Sequence, residues 1–106
     1  MTTQPEHALE LANQARVLMG EVRREIHDGT LTVAQALYDP RAQPLQLGRL
    51  LGSQQRWGSQ RVRHELRALR DATWGDHVVD LNIAMRVRDL TDRQRAELAA
   101  WLKAAG

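Results

Sequence analysis

Cysteine is absent from this 106-residue chain, which excludes disulfides and thiolate-held metals. Phenylalanine is absent too, and three Trp and one Tyr make up the whole aromatic complement. Three prolines and seven glycines are too few for a disordered or low-complexity chain. No apolar run reaches the roughly eighteen residues that a membrane-spanning helix needs. The N-terminal stretch carries Glu6 and Glu10 before its first arginine, Arg16, the wrong charge order for a secretion signal. The expectation is a cytoplasmic protein with no membrane partner.

The usual constellations of catalysis are missing as well. His7, His27, His64 and His77 are scattered, with no pair at metal-ligand spacing. His64 and Glu65 are adjacent, so a helix would point them to different faces. Asp76, Asp80 and Asp89 do not form a calcium loop, and no Walker or GxGxxG loop occurs. No enzyme, no cofactor and no metal is expected.

What is present is Ala, Leu, Gln and Arg, all good helix formers, at a length that fits one small domain. The formal net charge is only +2, but it is unevenly spread. Residues 1–42 hold four Arg against six acids, and residues 43–106 hold eleven Lys+Arg against seven acids. Between Arg49 and Arg70 six arginines face a single acid, Glu65. Such a cluster on a nearly neutral chain suggests a binding face, although a solvated helix face has the same composition.

The pattern along the chain is helical throughout. Leu11, Ala15, Leu18, Val22 and Ile26 make one apolar stripe on a helix expected from about Glu6 to Asp28. Gly29 closes it. The helix is long for so small a domain, so part of it is expected to project or to meet a partner. Thr32-Val33-Ala34-Gln35 has capping-box spacing and starts a short helix that buries Ala34 and Leu37 and stops at Asp39-Pro40. Leu47, Leu50 and Leu51 mark a third helix ending at Gly52-Ser53. After a tight turn, a fourth helix runs from Ser59 to about Arg70, with Val62, Leu66 and Leu69 inward. Arg63, Arg67 and Arg70 lie roughly 100° around it. Residues 71–88 alternate like a strand at Val79, Leu81, Ile83, Met85 and Val87. A lone strand has no partner, so a short helix or irregular crossing is expected. Thr91-Asp92-Arg93-Gln94 is a second capping box, opening a last helix that buries Leu98, Trp101 and Leu102.

The turn before the fourth helix is the most informative segment. Gly58 there permits positive φ and close backbone approach. The first amides of the helix lack internal partners and lie at the positive end of its dipole, which makes a phosphate seat. Ser59 and Gln60 can donate to it, and Arg61 and Arg63 can neutralise it. An ordinary helical hairpin with Gly58 as punctuation fits the same spacing. Trp57 could stack on a sugar or wedge into a groove; the expectation is that it anchors the turn in the core, as Trp74 and Trp101 do in their own segments. A second basic cluster, Arg86 through Arg95, flanks the start of the last helix, with Asp89 and Asp92 as candidates for salt bridges.

Three stretches together resemble the actinobacterial integration host factor family: Gly29-Thr30-Leu31-Thr32-Val33-Ala34-Gln35-Ala36-Leu37, then Leu50-Leu51 through Gly58 to Val62, then Arg86-Val87-Arg88-Asp89-Leu90-Thr91-Asp92-Arg93-Gln94-Arg95. The resemblance covers most of residues 21–102, and Asp92-Arg93-Gln94-Arg95 is its most specific part. It implies an all-α fold: an N-terminal helix over 1–28, then a helical DNA-binding domain over 29–106 with a helix–two-turns–helix module at about 45–70. It implies a nucleoid protein that holds duplex DNA by backbone phosphates with little sequence preference, and that supports phage integration beside an integrase complex. Matched by position, Gly58 and Arg61 carry the hairpin motif and Arg86, Arg88, Arg93 and Arg95 the second cluster. The family usually has a small aliphatic residue where Trp57 stands, Lys at Ser59, Arg at Met85 and Gly at Asp89, and residues 71–82 look inserted. A monomer is expected. The alternatives are a protein–protein interaction module using the first helix, and a structured-RNA binder.

Overall fold

The structure is a computed structural model and describes residues 5–72 and 81–105. Every named regular element is helical: α1 (Pro5–Asp28), α2 (Val33–Ala36), α3 (Leu47–Leu51), α4 (Ser59–Ala72) and α5 (Asp92–Ala105), with short 3-10 turns at Pro40–Ala42 and Val87–Asp89. Among the described residues no strand forms. The all-α expectation therefore stands. Trp74, His77, Asp76, Asp80 and the alternating residue Val79 lie outside the described residues.

Local chemistry sets the helix boundaries. At the end of α1, Gly29 takes φ +84. The amide of Thr30 then reaches the Glu25 carbonyl at 2.9 Å and that of Gly29 the Ile26 carbonyl at 3.2 Å. This left-handed stop satisfies carbonyls the helix would otherwise leave open. Both capping boxes form. Thr32 Oγ1 accepts from the Gln35 amide at 3.1 Å while Gln35 Oε1 accepts from the Thr32 amide at 3.0 Å. Thr91 and Gln94 repeat the exchange at 3.1 and 2.9 Å.

One core gathers Val22 and Ile26 of α1, Leu37 after α2, Leu47, Leu50 and Leu51 of α3, Val62, Leu66 and Leu69 of α4, and Leu98 and Leu102 of α5. Leu81 and Val87 also belong to it. Trp101 is only partly buried at its edge. The apolar stripe of α1 is covered only in its C-terminal half. Leu11 is 51% exposed and Leu18 41%, so the N-terminal half of the stripe lies open, as expected of a helix long for so small a domain. Helical spacing identifies the face, but α1 outruns the body that would cover it.

Residues 81–86 are an irregular crossing, and it docks on the start of α3. The Leu47 amide donates to the Met85 carbonyl at 2.7 Å, the Gly48 amide to the Ile83 carbonyl at 2.9 Å and the Val87 amide to the Leu45 carbonyl at 3.0 Å. Gln46 and Arg86 form a single antiparallel bridge. Gly48 permits this approach, since a Cβ there would lie 2.8 Å from Ile83 Cβ and 3.0 Å from its carbonyl oxygen.

Candidate nucleic-acid interface

The turn between α3 and α4 is braced by its own polar side chains. Ser53 Oγ donates to the Arg49 carbonyl at 2.8 Å and accepts from Arg23 Nε at 3.2 Å. Gln54 Nε2 donates to the Leu51 carbonyl at 3.0 Å, and Gln55 Nε2 to the His27 carbonyl at 2.8 Å. Trp57 is buried, 9% exposed, and anchors the turn in the core as expected. Gly58 does not use the left-handed conformation that glycine permits. That falls to Arg56, at φ 69. A Cβ at Gly58 would meet nothing within 4 Å, so no neighbour requires its lack of a side chain. Its carbonyl accepts the first bond of α4, from the Val62 amide at 3.1 Å.

The first amides of α4 have no acceptor within their own helix, and Ser59, Gln60 and Arg63 are exposed around them. Arg61 stacks over the Trp57 ring at 4.5 Å from its centroid and lies 3.9 Å from Glu65. Glu65 in turn accepts from Trp101 Nε1 at 3.1 Å. Arg61 is thus held in place, with its guanidinium still half-exposed.

Two neighbouring clefts organise the basic side chains. The smaller, about 200 Å³, is lined by Ser59, Val62 and Arg63 of α4, Gly48 and Arg49 of α3, the preceding Gln46, and Ile83. The larger, about 340 Å³, is bordered by Arg49 and Arg86 together with residues of α1. Arg49 and Gln46 belong to both. The hairpin and the second cluster, 23 residues apart between Arg63 and Arg86 in sequence, therefore meet at Arg49. The Arg86 guanidinium also donates to the Pro44 carbonyl, and its amide to Asp89 Oδ2 at 3.1 Å.

The remaining arginines of the second cluster divide. Arg88 is exposed and has no acidic partner among the described residues. Arg93 is exposed and lies 3.6 Å from Glu97, one turn on. Arg95 departs from its expected outward role. It is half-buried, donating to Gln43 Oε1 at 3.3 Å and to the Val87 carbonyl at 3.1 Å, with its guanidinium 5.8 Å from the Tyr38 ring centroid. It braces the 3-10 turn before α5. Arg49 received no special weight in the sequence, because nothing local shows that α3 lies between the two clusters.

Among the described residues no three His, Asp or Glu side chains gather into a metal site, and no helix is long and apolar enough to cross a membrane. No protein-family model, no curated protein and no solved structure matches the chain.

Proposed function

We propose that this chain binds duplex DNA through its backbone phosphates, with low sequence preference and no chemistry on the DNA. The observation that carries the reading is Arg49, which joins the cleft at the start of α4 to the cleft holding Arg86. Arg49, Arg61, Arg63, Arg86 and Arg88 then present five guanidinium groups, and the first amides of α4 add the positive end of a helix dipole. Arginine suits this role because its planar fork donates two hydrogen bonds to one phosphate. In this reading α3, its turn and α4 form the helix–two-turns–helix module of the actinobacterial integration host factors, and the protein acts in the cytoplasm at the nucleoid. Arg95, held inward, contributes support rather than contact.

Contacts to phosphate carry no sequence information, so random duplex binds as well as any chosen site. Neutralising about five phosphates gives a plot of log affinity against log salt with a slope of about −4 to −5. Titration of a random-sequence duplex at several salt concentrations checks this, and an absence of binding even at low salt refutes it. The double variant Arg61→Ala, Arg63→Ala should bind at least tenfold more weakly, and competition with structured RNA tests the choice of nucleic acid.

A second reading has its own observation. Leu9, Leu11, Val17 and Leu18 are exposed on α1, which fits a protein partner on that helix. Duplex affinity unchanged in the double arginine variant would favour it.

A further inference from the structure

The larger cleft contains more than the hairpin reading uses. Arg16 and Arg23 of α1 line it together with Arg49 of α3 and Arg86, and Gly20 lies between the two α1 arginines in the helix. The spacing i, i+4, i+7 places Arg16, Gly20 and Arg23 on one side of α1. Among the described residues no carboxylate forms an ion pair with the guanidinium of any of the four arginines, and Asp89 accepts from the Arg86 backbone amide at 3.1 Å. Arg23 gives only its Nε, to Ser53, and Arg86 one terminal nitrogen, to the Pro44 carbonyl. No acid among the described residues lines the cleft; like charges gathered there repel one another, and the repulsion turns to attraction when an anion sits among them.

Gly20 is an independent observation. Glycine is the poorest helix former after proline, and Gly20 lies in the interior of a 24-residue helix. No neighbour requires its lack of a side chain, since a Cβ there would meet nothing within 4 Å. Gly20 lines the four-arginine cleft, and a side chain there would project into open space.

We infer that this cleft is a second phosphate seat, separate from the start of α4, in which Arg16, Arg23, Arg49 and Arg86 hold a phosphodiester against the α1 backbone at Gly20. The seat carries the duplex past the hairpin and onto α1. The identity of its phosphate rests on the duplex-binding reading, whereas the seat itself rests on the cleft. The shared chemistry is a phosphate anion, supplied either by the DNA backbone or by a free phosphate compound.

The test uses the full chain and two variants, Gly20→Leu and Arg16→Ala, titrated with a random-sequence duplex over a range of salt. Leucine is a better helix former and points into open space, so Gly20→Leu should melt at or above the wild-type temperature. It should nevertheless bind duplex about tenfold more weakly, by obstructing the seat. Arg16→Ala should bind more weakly with a salt slope shallower by about one. If both variants bind duplex as the wild type does, the seat is refuted while the hairpin interface stands. If the wild type binds no duplex, the duplex reading falls, and inorganic pyrophosphate titrated against the Gly20 amide resonance decides the seat. A saturable shift that Arg16→Ala abolishes supports it as a site for free phosphate, and no shift overturns it.

Discussion

Arg56, not Gly58, carries the left-handed backbone in the turn ahead of α4. A side chain in that region costs roughly 1–2 kcal/mol relative to glycine. Arg56→Gly is therefore expected to stabilise the protein by about 1 kcal/mol, and Gly58→Ser to leave stability within a few tenths, since serine favours the position before a helix. Urea unfolding midpoints check both. A loss of more than about 1 kcal/mol in Gly58→Ser would mean that glycine is needed there after all. The glycine with a steric reason is Gly48, against Ile83, and nothing in the α3 sequence marks it. Its neighbour comes from 35 residues further along the chain.

Helix boundaries follow from neighbours within a few residues, which is why Thr32-Gln35 and Thr91-Gln94 were readable as capping boxes. Thr91→Ala removes the acceptor for the Gln94 amide and should cost about 1 kcal/mol, whereas Thr91→Ser should recover most of it. The readout is again the unfolding midpoint, and an unchanged value for Thr91→Ala would show that the cap adds nothing to α5. The stripe of α1 marks the limit of such reasoning. Leu11 and Leu18 have the same periodicity as Val22 and Ile26, yet burial depends on whether another element reaches that far. The same limit applies to Arg95. Its spacing placed it in a basic cluster, and the fold turned it inward to Gln43 and Val87.

Across the whole molecule, α1 is tied to the turn after α2 by one arginine. Arg41 donates to both oxygens of Asp39 and to Glu25, with Glu21 at 3.6 Å. Hydrogen bonds from Arg41 hold the Glu25 and Asp39 carboxyls below their ordinary range. A carboxyl depressed by folding stabilises the protein above its unfolded pKa, and that contribution is lost as pH falls through the folded value. The melting temperature should thus be flat near neutrality and drop below about pH 4, the unperturbed carboxylate range. In Arg41→Gln the neutral plateau should be lower and the acid drop smaller. Equal acid profiles in the two proteins would show that the cluster is too solvated to matter.

Secondary structure, the capping boxes, the inward face of α4 and the anchoring of Trp57 were legible in the chain because each depends on residues a turn or two apart, through propensity, hydrogen bonding and apolar period. The grouping of the arginines was not. Arg16, Arg23, Arg49, Arg63 and Arg86 come from α1, α3, α4 and the crossing after residue 80, and no local rule relates them. Backbone bonds from Leu47 and Gly48 to Met85 and Ile83 bring Arg86 beside Arg49, and the Ser53 hydroxyl holds Arg23 toward the same turn. The scarcity of acids between Arg49 and Arg70 showed that basic charge was available. Long-range docking determined which of those charges share a cleft.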